Sequence, residues 1–135
     1  MFKINNTYNV FISHSWSYST DYNTVSEWLI TSNITLHDYS VSIECPLGLM
    51  SKYQLKQKIT DHINPASVVI ILAGMYANYS EWIDYEIDEA IRMNKKILGI
   101  KPRGQERIPI KISQNANELV SWNSNSVVDA FKRLL

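Results

Sequence analysis

The residues best placed to do chemistry are Trp82 and Glu86, within the stretch Ser80 to Ile100, S-E-W-I-D-Y-E-I-D-E-A-I-R-M-N-K-K-I-L-G-I. Ile83, Ile87, Ala90 and Ile91 recur at helical spacing and predict one apolar stripe turned towards a core. Trp82 and Glu86 are four residues apart, so they sit one above the other on a neighbouring strip. Tyr85, Asp88 and Arg92 fall on the far side, which can face water. A carboxylate one turn from an indole has two readings. In the first it is the boundary of an amphipathic helix, an anion near the helix start where the dipole favours it. In the second the indole walls a pocket and the carboxylate grips a polar substrate. The helix alone favours the first, and the surrounding chain changes the balance.

Elements that must position this helix alternate along the chain. Tyr8 to Ser13 reads as a buried strand, followed by the Ser-rich turn His14 to Ser19. A helix is expected from about Thr20, with Tyr22, Val25, Trp28 and Leu29 on one face, stopping near Ser32-Asn33. Ile34 to His37 is a short second strand. Asp38 to Leu49 is too long for an ordinary turn and marks a candidate functional loop. Leu55, Ile59, His62 and Ile63 predict the next helix, which Pro65 bars from continuing. Val68 to Leu72 is apolar without alternation, the pattern of a strand covered on both faces. The loop Ala73 to Tyr79 leads into the first helix discussed, with Asn78 or Ser80 available as cap. Lys96 to Ile100 is a fourth strand and Glu118 to Val120 a weak fifth. Pro102-Arg103-Gly104 opens a polar stretch without a clear element. Ser126 begins a final helix with Val127, Val128, Phe131, Leu134 and Leu135 inward.

Strands alternating with helices imply parallel pairing. Five of them suit a flavodoxin-like, doubly wound sheet in the order 2-1-3-4-5, in which ligands bind beyond the carboxyl ends of the strands, between the first and third. That rule selects three loops, His14 to Ser19, Asp38 to Leu49 and Ala73 to Tyr79. The last feeds directly into Trp82 and Glu86.

Composition excludes several classes. The 135 residues suit one domain over the whole chain, with 45% apolar and 19% charged residues and 13 acidic against 13 basic side chains. That balance argues against an electrostatic nucleic-acid binder or a polybasic membrane anchor. The apolar run Val68 to Ala73 is too short to span a bilayer, and Met1 to Thr7 does not read as a signal peptide. A single cysteine, Cys45, precludes an intrachain disulfide and fits a reducing, cytoplasmic setting. There is no phosphate-binding G-x-x-x-x-G-K-[ST] and no dinucleotide fingerprint. The serine turn at 13, 15 and 17 is a poor phosphate loop for a flavin. A phosphoacceptor aspartate is missing from the end of the third strand, where Ala73-Gly74 stands. His14, His37, His62 and Cys45 have no metal-ligand spacing, so no metal is expected. His62 is expected to pack on its helix's apolar face, and Cys45 has no base to activate it.

The opening Y-N-V-F-I-S, the strand S-V-V-I-I-L-A, and the helix S-E-W-I-D-Y-E-I-D-E-A running into K-K-I-L-G-I together resemble a TIR domain. More narrowly, with the D-Y-S-V segment, they resemble the TIR-like (ThsB) proteins of the bacterial Thoeris antiphage system. The likeness runs from Tyr8 to about Lys101, and W-x-x-x-E-I is its specific part. The resemblance implies an enzyme that cleaves the N-glycosidic bond of NAD, releases nicotinamide and converts the remainder into a cyclic or conjugated ADP-ribose signal for a separate effector protein. It places the catalytic glutamate on Glu86 and implies self-association on activation. NAD is then a substrate, with no permanently bound cofactor. Where the family carries an R-D-x-x-P-G type sequence, this chain has Cys45-Pro46-Leu47-Gly48.

Such chemistry suits a fixed carboxylate. Breaking a ribosyl bond to a cationic nicotinamide builds positive charge on the ribose, and a carboxylate at the ribose hydroxyls gains strength as that charge spreads. The leaving group departs neutral, so no proton transfer from Glu86 is required. Trp82 would wall the pocket or stack on a ring, or else serve as a core indole. By loop position, Ser13, His14 and Ser15 are expected at phosphate or ribose oxygens, and Asp38 and Tyr39 at the nicotinamide side. The alternatives are a non-catalytic TIR-like adaptor acting through protein contacts, with Glu86 a helix-start anion, and a flavodoxin-like nucleotide binder without turnover.

Overall fold

The computed structural model describes residues 7–43, 51–104 and 107–135. Glu44 to Leu49, half of the loop Asp38 to Leu49 singled out above, lie outside the described residues. Five strands, β1 (Thr7–Ile12), β2 (Thr35–Asp38), β3 (Val68–Leu72), β4 (Lys96–Ile100) and β5 (Glu118–Val120), form one all-parallel sheet in the order β2-β1-β3-β4-β5. This is the doubly wound, flavodoxin-like order expected from the alternation of elements. Helices α1 (Ser19–Thr31), α2 (Lys52–Ile63), α3 (Tyr76–Arg92), α4 (Ile110–Asn115) and α5 (Ser124–Arg133) cover both faces. On one face α1 packs against α5, and on the other α2 packs against α3, which in turn meets α4.

The covering explains the strand compositions. Every residue of β3 is buried, as the unbroken V-V-I-I-L requires of a central strand flanked by helices. The edge strand β2 is mostly exposed and begins one residue later than its apolar pattern implied, because Ile34 is buried in the turn before it. In β4, Gly99 gives α4 and β5 their seat: a Cβ there would lie 3.0 Å from Leu119 Cδ1 and 3.2 Å from Ile112 Cγ2. Asn117 pins the same edge, its side-chain oxygen accepting from Ile97 N at 2.7 Å while its own N donates to Ile97 O at 2.8 Å.

Local chemistry sets the helix limits. Asn33 and Asn94 follow α1 and α3 at φ 64° and 57°. Asparagine tolerates this left-handed conformation better than most residues, which makes it a natural stop. Helix α2 opens on a capping box in which Ser51 and Gln54 satisfy each other's backbone amides. It closes at Ile63, two residues before Pro65.

Three helices depart from the pattern reading. Helix α4 arises in the stretch read as structureless, because six residues with one buried side chain, Ile112, carry too little periodicity to register. Helix α5 starts at Ser124 rather than Ser126, since Asn123 supplies the cap by accepting from Ser126 N at 3.0 Å. Its inward set is Val127, Val128, Ala130 and Phe131, while Leu134 is half-buried and Leu135 is 49% exposed beyond the last turn. Asn123→Ala should lower unfolding free energy by about 1 kcal/mol, read as a shift in denaturation midpoint without a change in slope.

Helix α3 differs most. A 3-10 turn, Ala73–Met75, runs directly into it, so the expected loop is mostly helical. A break remains at Tyr79 (φ −134°, ψ 31°). Neither Asn78 nor Ser80 acts as the cap; Asn78 Nδ2 instead donates to the Tyr18 hydroxyl at 3.0 Å.

Candidate active site

Helix α3 presents Ile83, Glu86, Ile87 and Ala90 as its buried face. Glu86 thus belongs to the core stripe rather than to the strip beside it, while Ile91, expected in that stripe, is 49% exposed. The reason is angular. Positions 83, 86, 87 and 90 follow the i, i+3, i+4, i+7 spacing of a single face, and Ile91 falls on its solvent margin. Tyr85 also departs from expectation. It is half-buried against α2, its hydroxyl donating to Lys56 O at 3.1 Å and sharing a hydrogen bond with Thr60 Oγ1. Asp88 and Arg92 are exposed, as their positions require.

The Glu86 side chain is fully buried, and neither carboxylate oxygen has a hydrogen-bond partner among the described residues. Burial alone pushes its carboxyl well above the usual carboxylate range. Counted from the break at Tyr79, the residue sits in the second turn of the regular helix, past the first turn in which the N-terminal dipole acts. The helix-start explanation therefore does not apply. A buried, unpaired carboxylate is costly, and such exceptions concentrate where a protein does chemistry. Trp82, one turn earlier, is half-buried and packs on the rim of the core, consistent with either of its two expected roles.

Ser13 and its neighbours form the joint between β1 and β3. Ser13 N donates to Ile70 O at 2.8 Å, and the buried Ser13 hydroxyl accepts from Leu72 N at 2.8 Å. The side chain thus extends the ladder past the end of β1. Ser13→Ala should leave the Leu72 N–H unsatisfied and cost about 1–3 kcal/mol, measurable by urea unfolding.

Ser15 is also fully buried, and its Oγ has no hydrogen-bond partner among the described residues. His14 stacks on Tyr22 with ring centroids 4.2 Å apart, and its carbonyl accepts from Ile43 N at 2.9 Å.

Asp38 and Tyr39 leave the end of β2. Asp38 is exposed, and its Oδ1 accepts from both Ser40 N and Ser40 Oγ, an Asx-type turn. The Ser40 hydroxyl in turn accepts from Ile12 N at 2.9 Å, which binds the turn to β1. Tyr39 N donates to Val10 O at 2.8 Å. His62 packs as expected for its helix face but also bonds, its Nδ1 lying 3.0 Å from Tyr39 O. The structure thus gathers Ser13, His14, Ser15, Asp38 and Tyr39 around the carboxyl ends of β1 and β2, while Trp82 and Glu86 lie on the helix that follows β3.

Ser42 was passed over in the sequence. It pairs in parallel with His14, and its buried Oγ has no hydrogen-bond partner among the described residues. Val41 and Ile43 on either side are both buried, and this apolar-polar-apolar alternation signals a strand-like extension inside the loop. Among the described residues, no group of three or more His, Cys, Asp or Glu side chains could hold a metal ion. Nor is any helix among them long and apolar enough to cross a membrane.

The chain belongs to the family described as Thoeris protein ThsB, TIR-like domain, which it matches over residues 11–107. Solved structures share the fold at low identity. A conserved protein from Enterococcus faecalis V583 is 10% identical with a TM-score of 0.66, covering 96% of this chain and 100% of that one. A 2-deoxyribosyltransferase from Bacillus psychrosaccharolyticus is 14% identical with a TM-score of 0.68, covering 93% and 95%. The CMP N-glycosidase BcmB of Clostridium botulinum is 15% identical with a TM-score of 0.58, covering 94% and 99%. No curated protein matches the sequence.

Proposed function

We propose that this chain cleaves the N-glycosidic bond of NAD, releasing nicotinamide and yielding an ADP-ribose-derived signal, cyclic or conjugated, that acts on a separate antiphage effector. The observation that carries the proposal is Glu86. It is the glutamate of the W-x-x-x-E element in a ThsB TIR-like domain, and it is buried without a hydrogen-bond partner among the described residues. Two proteins with this fold are named as a 2-deoxyribosyltransferase and an N-glycosidase, so the architecture is compatible with chemistry at a ribosyl bond.

In this reading Glu86 is a preorganised negative charge. Desolvation makes its ionised form costly, and a substrate bearing a pyridinium charge offsets that cost by Coulomb attraction in a low-dielectric site. As the bond to nicotinamide breaks, positive charge moves onto the ribose and the interaction with Glu86 tightens. Because the ionised form is the active one, turnover should rise with pH through an apparent pKa above the usual carboxylate range. The closed packing around Glu86 must open to admit substrate, and self-association is the expected trigger. Ser15, His14 and Ser42 are then placed to meet ribose or phosphate oxygens, Asp38 and Tyr39 to border the nicotinamide side, and Trp82 to wall the pocket.

The test is product analysis of NAD incubated with concentrated protein, alone and with lysate of phage-infected cells, against Glu86→Gln. Nicotinamide and a new ADP-ribose species from the parent, reduced at least about a hundredfold in the variant, are expected. Absence of turnover in both conditions, or equal turnover by the variant, would sink the enzyme reading and favour the adaptor.

A further inference from the structure

A second feature lies at the carboxyl edge of the sheet, apart from Glu86. A cavity of about 240 Å³ opens there, lined by Tyr18 and Asp21 at the start of α1, Gly74 after β3, Lys101 and Arg103 after β4, and Trp122 after β5. Glu86 is not part of its wall. We propose that this cavity binds the phosphate of a small ribose phosphate ester, independently of the reaction assigned to Glu86.

Charge and preorganisation carry the argument. Among the described residues two cations and one anion line the cavity, so these walls favour an anion. The Arg103 guanidinium is held twice, by Asp21 Oδ1 at 3.2 Å and over the Trp122 ring at 4.9 Å from the centroid. Only one of its nitrogens is used by that bond, and a guanidinium carries five N–H donors in a planar fork that matches phosphate oxygens. The aromatic walls are fixed as well. Trp122 packs on Trp28 with ring centroids 5.1 Å apart, and Tyr18 is held by Asn78 and by an edge contact with Tyr79. Lys101 is anchored through its backbone, its N donating to Val120 O at 2.8 Å. Because the Arg103 fork is already held, ordering it on binding costs little entropy. The volume is below that of pockets for drug-sized ligands, roughly 300–1,000 Å³, and suits a phosphorylated sugar with any attached base lying towards the aromatic rims. The cavity lies beyond the carboxyl ends of β3, β4 and β5, apart from the crevice between β1 and β3 where doubly wound sheets bind ligands.

Calorimetric titration with ribose 5-phosphate, AMP and inorganic phosphate tests the site without requiring turnover. Saturable binding of ribose 5-phosphate is expected, with AMP tighter if the base adds contact with Tyr18 or Trp122. Arg103→Met, which keeps the stem over the indole, should weaken binding at least tenfold, and Arg103→Lys should fall between it and the parent. Asp21→Asn should tighten binding severalfold, because the amide oxygen still accepts from Arg103 while the competing charge is gone. Glu86→Gln should bind like the parent. Melting temperatures within a few degrees of the parent establish that each variant is folded. No saturable binding by the sugar phosphates, or binding unaltered in Arg103→Met, overturns the proposal. So does binding lost in Glu86→Gln but kept in Arg103→Met, which would assign the ligand to the Glu86 site. None of these outcomes depends on whether NAD is cleaved.

Discussion

Glu86→Gln will abolish nicotinamide release and, at neutral pH, make the protein more stable. The two effects share one cause. In the unfolded chain a glutamate titrates near 4.3, whereas in the folded protein burial holds its carboxyl well above that value. Below the unfolded pKa both states carry the proton, and ionisation costs folding nothing. As pH rises past it, the unfolded state releases its proton while the folded state keeps it, so the folded state binds more protons and stability falls with pH. The loss approaches about 1.4 kcal/mol per pH unit until the folded pKa is reached. Glutamine is nearly isosteric with the protonated acid and does not ionise. It should therefore raise stability at pH 7, read as a melting temperature above the parent's. The difference should shrink towards zero near pH 4. Thermal melts of parent and variant across that range, paired with nicotinamide assays, give both halves. A variant that melts lower than the parent at every pH would mean that Glu86 stabilises the fold, and the site reading would fail with it.

Most of the scaffold could be read from the chain because its signals are local. The unbroken run of β3, the stripe Val25-Leu29 on α1, and Pro65 after α2 each report a single environment, and the alternation of elements then leaves few topologies to consider. Glu86 was legible as a candidate from its spacing to Trp82 and the stretch around it. Its depth was not, because a glutamate one step off an apolar stripe is normally solvated, and only the packed α2–α3 layer fixes the rotation that turns it inward. The role of Ser13 in joining β1 to β3 depends on a residue fifty-nine positions away, which no local pattern reports. Helix α4 failed for the opposite reason. It is short, and its one buried side chain finds its place through Gly99 on a different element. The cavity beside Arg103 likewise combines residues from α1, the β3–α3 connection and the ends of β4 and β5.

A second buried residue gives the converse result. Phe131 on α5 is as completely buried as Glu86, but its burial is apolar and well matched: its ring meets Tyr8 edge-on, with centroids 6.0 Å apart and planes at 81°. Phe131→Ala removes that contact and opens a cavity between α5 and the sheet, at a cost of about 3–5 kcal/mol. For a domain of this size that is a fall of roughly 10–15 °C in melting temperature, with a lower denaturation midpoint and an unchanged slope. Helix α5 packs with α1 on the face opposite α2 and α3. At a temperature where the variant is folded, its nicotinamide release per molecule should therefore stay within about twofold of the parent, since well-separated sites act nearly independently. Two side chains of equal burial then give opposite signs, one losing stability at constant turnover and the other losing turnover as stability rises. That contrast, measured in one preparation, separates what α5 does for the fold from what α3 does for the chemistry. If Phe131→Ala lost turnover in proportion to Glu86→Gln while still folded, the two faces of the sheet would be coupled, and the site could not be assigned to the α3 side alone.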